Sequence, residues 1–292
     1  MNILIDLQDM NCLENLIQMM QPLYASQDRQ ISIKINLKKY NDLTHLLCIV
    51  SLVKSLQKKG KDVIIECRND IGYLQRINFF KELGVDSEEF FQRHNASGRF
   101  LEVSHITKEN ALDTVNKIIK ILEEQTESST GVIECLSFCL WEVVDNIDIH
   151  AKSPIGGYTV AQYYPQKKFI EIIIVDTGRG IHSSLTKNPE YKDLSEEEAI
   201  SKSIEQETTS GDGRGNGLYY TVEYIKENNG EFILYSGNYK LELKNGNMRT
   251  KGGPHWQGTL ICIKINTDIP INMNNIFGAE IPTSIEEFDD FF

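Results

Sequence analysis

Residues 172–181 read Ile172-Ile173-Ile174-Val175-Asp176-Thr177-Gly178-Arg179-Gly180-Ile181. An apolar strand runs directly into an aspartate and two glycines. Gly178 and Gly180 let the backbone turn sharply and allow a flat ring to approach the chain. Asp176, at the strand end, can accept a hydrogen bond from an exocyclic amine such as that of adenine. A plain Asp-x-Gly turn would leave a strand in the same way, so this stretch alone does not decide between a turn and a site.

Upstream lies a helical stretch, expected over 131–150, that carries Trp141-Glu142-Val143-Val144-Asp145-Asn146-Ile147-Asp148-Ile149-His150-Ala151. The i, i+4 spacing places Glu142 and Asn146 on one face, and His150 continues it. Burying a carboxylate, an amide and an imidazole without partners is costly, so their presence on an apolar helix points to a metal–phosphate site or to a solvated stripe. Asn146 could offer its side-chain oxygen to Mg²⁺, and Glu142 could orient or deprotonate an attacking water or hydroxyl. Downstream, Thr208-Thr-Ser-Gly211-Asp-Gly213-Arg214-Gly215-Asn216-Gly217-Leu218 sets four glycines at alternate positions before a helix. Such a loop can present backbone N–H groups to phosphates, with the helix dipole adding to them, and Arg214 could pair with a phosphate oxygen. It is neither a Walker A loop nor a dinucleotide fingerprint; a flexible surface linker would have similar composition.

The order of these pieces is more specific than any one of them. Helix Glu-x-x-x-Asn, strand Asp-x-Gly-x-Gly, a long polar stretch ending in Gly-x-Gly-x-Gly and a helix, then Gly258-Thr259 on a late strand resembles the motif series of the GHKL (gyrase, chaperone, histidine kinase, mismatch repair) ATP-binding fold across Lys108–Asn266. The resemblance implies ATP and Mg²⁺ as cofactors, Glu142 as general base and Asn146 as the Mg²⁺ ligand. It implies Asp176 as the reader of adenine N6, with Gly178, Gly180 and Ile181 shaping that wall. His182–Ser210 would be a mobile lid, Gly213, Arg214, Gly215, Asn216, Gly217 and Leu218 would hold the phosphates, and Thr259 would support the adenine. The run Asn146–His150-Ala is most similar to the anti-sigma-factor serine-kinase branch, which places His150 at the nucleotide. His105 lacks the sequence context of a phospho-acceptor, and no transducer domain follows the ATP module.

The first third alternates strand and helix signals. Ile31, Ile33, Ile35 and Leu37 alternate with polar residues as a period-2 strand. Leu43–Lys59 is apolar at helical spacing and stops at Gly60, and Val63–Cys67 and Phe100–Val103 read as further strands. This pattern resembles a STAS-like domain, the fold of anti-sigma-factor antagonists, with Asp42 and Thr44 as an N-cap pair or Thr44 as a phosphate acceptor. The fold class expected is therefore α/β: a STAS-like α/β domain over 1–105, a GHKL (Bergerat) two-layer α/β sandwich over 106–270, and an acidic aromatic tail over 271–292.

With 292 residues and a net charge of −12, the chain has ordinary globular composition and little general affinity for nucleic acid or anionic membrane. The six cysteines sit in apolar runs without zinc-ligand context, and the opening residues, MNILIDLQDMN, carry no basic leader. Both features point to a reduced, cytoplasmic setting. The functional expectation is a Mg²⁺-dependent ATPase acting as a switch on a protein partner through the STAS-like domain or the tail. Alternatives are an anti-sigma-type protein serine/threonine kinase and a non-catalytic nucleotide-binding scaffold; a homodimer is compatible with each.

Overall fold

The computed structural model describes residues 1–68, 72–86, 92, 96, 98–125, 131–147, 151–210 and 216–277. The first unit is built from strand β1 (Asn2–Asp6), helix α1 (Leu13–Ala25), β2 (Gln30–Asn36), α2 (Leu43–Lys58) and β3 (Asp62–Arg68). Each strand–helix–strand crossover returns the chain parallel to itself, giving a three-stranded sheet in the order β1-β2-β3. Asp42 caps α2 by accepting from the Thr44 N–H at 2.7 Å. The Thr44 hydroxyl lies 3.5 Å from the Cys262 sulfur.

Two short helices lead from the first sheet to the second. Helix α3 (Gly72–Arg76) and α4 (Phe79–Leu83) are separated at Asn78, whose φ of 64° lies in the left-handed region and cannot continue a helix. Strand β4 (Phe100–Ile106) follows. Rather than closing the first sheet, it pairs antiparallel with β5 (Gly157–Tyr164) as the edge of a second sheet. Its Val103 N–H is met by the Ile77 carbonyl at 2.9 Å, so the α3–α4 segment covers that edge.

Between these strands run α5 (Ala111–Gln125) and α6 (Val132–Asn146). After β5 come β6 (Phe169–Asp176), α7 (Gly180–Leu185), α8 (Glu196–Lys202), α9 (Gly217–Glu227), β7 (Glu231–Lys244), β8 (Asn247–Asn266) and α10 (Met273–Phe277). The second sheet has the order β4-β5-β6-β8-β7, with every pairing antiparallel. β7 runs unbroken through Gly237, where its register with β8 is irregular. The strand expected from Gly258 begins eleven residues earlier, at Asn247. The hairpin turns at Asn245 (φ 51°) and Gly246 (φ 72°), the two positive φ values that a type I′ turn requires.

Alternation along the central strands divides two cores. Ile173, Val175, Leu260 and Cys262 join the core around α1 and α2, while Ile172, Ile174, Ile261 and Ile263 join the core of α5, α6 and α9. Helix α2 thus lies between the two sheets, and twelve of its sixteen residues are buried. The order of layers is sheet, helices, sheet, helices. The start of the expected tail belongs to the last layer: Phe277 of α10 meets Phe138 edge-on, with ring centroids 5.3 Å apart. Residues 278–292 lie outside the described residues.

Candidate functional site

The ends of β6 and the middle of β8 make the first half of the site. Asp176 is 4% exposed, and its carboxylate accepts from the Gly178 N–H at 2.7 Å. Burial raises its pKa to about 6, against hydrogen bonds from Gly178 and from the hydroxyl and backbone of Thr259, which favour the charged form. At neutral pH it is an anion with its nearest donors fixed. Gly258, at φ +95°, lies directly across from it: a Cβ there would fall 2.7 Å from both the Asp176 Oδ1 and the Gly178 nitrogen. Gly178 presses on the Ala151 carbonyl, which also accepts from the Arg179 N–H at 2.9 Å. Gly180, at φ +76°, faces the Ser236 hydroxyl.

Ser236 and Gln257 escape a reading of the motifs. The Ser236 hydroxyl accepts from the Ile181 N–H at 2.9 Å and donates to the Gly258 carbonyl at 2.8 Å, locking the Asp-x-Gly-x-Gly turn to β8. The Gln257 amide donates to the Gly178 carbonyl. The available signal was the Ser236-Gly237 break within an otherwise apolar strand, which marks a close backbone approach.

Helix α6 supplies the second half. Glu142 and Asn146 share a face, as their spacing requires, and the Asn146 Nδ2 donates to the Glu142 carbonyl at 2.7 Å. That bond orients the amide and leaves Oδ1 as its acceptor end. The Glu142 carboxyl lies against Gly217, the first residue of α9; any Cβ at Gly217 would collide with it. Burial, with the Asp145 charge adding to it, raises the Glu142 pKa to about 7. Glu142 and the start of α9 therefore meet, through α6 packed on α9.

Asn216 stands at the N-cap position of α9 without a side-chain capping bond; its side-chain oxygen instead accepts from the Glu207 N–H at 2.7 Å, tying the preceding segment to the start of the helix. Leu218 and Ile181 pack against the core of the helix layer. His150, Gly213, Arg214 and Gly215 lie outside the described residues. The segment 182–210, expected as a polar lid, carries α7 and α8 with a small core of its own around Leu185, Tyr191 and Ala199. A reciprocal Ser195–Glu198 capping box starts α8, and Glu196 accepts from the Asn238 N–H at 2.8 Å at the irregular point of β7. His105 stands on β4 stacked on Tyr158, with Nε2 at 2.7 Å from the Ile155 carbonyl, and not on a helix.

No protein-family model matches this chain, and no curated protein matches it either.

The donor set fits a nucleotide better than a metal held by protein alone. Among the described residues no group of three His, Cys, Asp or Glu side chains could hold a cation. Mg²⁺ usually keeps several waters and takes one or two protein ligands plus substrate phosphates, a role open to the Asn146 oxygen. Gly178, Gly180 and Gly258 are buried, and the lack of a Cβ at each lets neighbouring backbone and the Ser236 hydroxyl pack closely around the Asp176 turn. Among the described residues no helix is long and apolar enough to cross a membrane.

Proposed function

We propose that this chain is a Mg²⁺-dependent ATP-binding protein of the GHKL type that hydrolyses ATP and acts as an ATP-operated switch on a partner protein. The observation that carries this reading is the single buried cradle formed by Asp176, Gly178, Gly258 and Thr259, with Glu142 and Asn146 on α6 beside the start of α9.

Asp176 accepts from the purine amine, and the Thr259 and Gly178 donors hold its carboxylate ionised. Asn146 would hold Mg²⁺ through Oδ1, its Nδ2 donating to the Glu142 carbonyl. Bound Mg²⁺–ATP supplies an electrophilic terminal phosphate whose charge is shared with the metal. Glu142, with a pKa near 7, takes a proton from the attacking water. The first unit is the output: α2 packs on β5 and β6, and β6 ends at Asp176, so a change at the base pocket has a rigid strand leading to that layer.

Titration of the full chain with ATP and Mg²⁺ tests this. The wild type is expected to bind in the micromolar range, and Asp176→Asn to bind about 100-fold more weakly, because the amide can turn a donor toward a donor and leaves buried groups unpaired. A wild type that does not bind, or a variant that binds equally well, refutes the proposal. Radiolabel from the terminal phosphate found on protein instead of in solution would move the reading to a protein serine/threonine kinase.

A further inference from the structure

Among the described residues, strand β3 (Asp62–Arg68) pairs with β2 alone, so its other side is an open edge. Two bonds fix the backbone directions along it. The Asp62 N–H donates to the Arg29 carbonyl at 2.8 Å, and the Arg68 carbonyl accepts from the Leu37 N–H at 3.4 Å. In a parallel ladder successive residues of a strand address opposite neighbours. Asp62, Ile64, Glu66 and Arg68 therefore bond to β2, while Val63 and Ile65 turn both backbone groups to the open side.

Side chains alternate in the same way. Val63, Ile65 and Cys67 face the core around α2 but are only half-buried, whereas Ile31, Ile33 and Ile35 on the adjacent β2 are fully buried. The core under β3 is thus incompletely covered at this edge. On the outer face Ile64 is 47% exposed, and Asp62, Glu66 and Arg68 are exposed with it. An open edge rich in β-branched residues is a template for strand pairing. Glu66 is already held by Lys34 of β2 at 2.9 Å. The two ends of the edge carry opposite charges, Asp62 and Arg68, and that order is complementary to a reversed copy of itself.

We propose that β3 is the interface at which two copies of this chain join, with the two strands antiparallel about a two-fold axis at Ile65 and two three-stranded sheets becoming one of six strands. This inference is independent of the nucleotide-binding reading. At the axis, Ile65 exchanges N–H···O=C bonds with Ile65 of the second copy, through the groups that already point outward. Asp62 then lies opposite Arg68 of the second copy, and Arg68 opposite its Asp62, so an ion pair closes each end. Val63, Ile65 and Cys67 of both copies share one face and supply the cover that each edge lacks. The alternatives are poorer. A one-residue shift centres the pair on Ile64 and sets Asp62 opposite Glu66, like against like. A parallel copy in register sets each charge beside its own kind. The other edge strand, β1, centred on Leu4, would set Asn2 against Asp6 and form no ion pair. Charge thereby selects the edge, the direction and the register of an isologous contact.

Sedimentation equilibrium on the full-length wild type, Arg68→Asp and the charge-swapped Asp62→Arg/Arg68→Asp tests this, without nucleotide. The wild type is expected to dimerise with a Kd in the micromolar range, as suits a contact confined to one strand edge. Arg68→Asp places two carboxylates opposite one another at both ends and is expected to raise the Kd about tenfold or more. The double variant restores opposite charges in the same register and is expected to return the Kd to within about threefold of the wild type. A wild type that remains monomeric at about 100 µM, well above such a Kd, overturns the proposal. So does an Arg68→Asp variant that dimerises like the wild type, or a loss in that variant that the charge swap does not recover.

Discussion

Glu142→Gln is expected to lower phosphate release from ATP by about 10²- to 10⁴-fold, the usual contribution of a positioned general base, while changing ATP affinity by less than about threefold. Glutamine preserves the shape that fits against Gly217 but cannot accept a proton. The same substitution has a second consequence, because burial and the Asp145 charge raise the Glu142 pKa to about 7 from 4.5. A carboxyl whose folded pKa is raised binds its proton more tightly in the folded chain. Stability therefore falls as pH rises from about 4.5 to about 7, and the penalty is fully present above that range. At pH 8 Glu142→Gln removes a cost on the order of 3 kcal/mol, and the Tm is expected to rise by about 6 °C. At pH 4, where the wild-type carboxyl is already neutral, the two proteins should melt alike. Phosphate release and pH-resolved melting curves check both parts. Equal phosphate-release rates would remove Glu142 from the chemistry, and a pH-independent difference in Tm would remove the buried charge as its cause.

Gly258→Ala is expected to destabilise the chain by about 3–5 kcal/mol, from backbone strain together with overpacking, and to abolish nucleotide binding. Gly258 holds φ +95°, and a Cβ there would strike the Asp176 backbone carbonyl and lie 2.7 Å from the Gly178 nitrogen. Those atoms belong to a turn already fixed by Ser236 and Gln257, so relief requires the cradle to open. Denaturant unfolding and ATP titration measure the two effects. Gly246→Ala, at the exposed hairpin tip where a Cβ meets nothing within 4 Å, serves as the control for positive φ alone. Equal losses in the two variants would mean that the close approach at Gly258 has no special cost.

The contrast between legible and hidden parts has a physical basis. The apolar run Ile172–Val175 does lie in a strand, β6, because burial on both sides of a central strand demands apolar residues. The first half of β8, Asn247–Gln257, is largely exposed and polar, so no hydrophobic period marks it; only the Asn245-Gly246 turn signals the return strand. The place of α2 between two sheets is written in its nearly all-round apolarity, but which sheet lies on its second side is a tertiary fact. The partner of β4 is hidden for the same reason. At the site, Asp176, Gly178 and Thr259 converge although more than eighty residues separate them, and Glu142 reaches Gly217 across two helices. Spacing within a motif could place each residue on its element, whereas Ser236 and Gln257 act through contacts that no short motif contains.

Whether Asp176 reads the exocyclic amine of adenine is decided by comparing ATP with inosine triphosphate in Mg²⁺ titrations of the wild type. The two ligands share ribose, phosphates and ring size, but inosine carries a carbonyl where adenine carries the amine. The account predicts that ATP binds at least about 100-fold more tightly, since a carbonyl facing a buried carboxylate leaves both acceptors without a proton between them. Equal affinities, or no binding of either ligand, would contradict it.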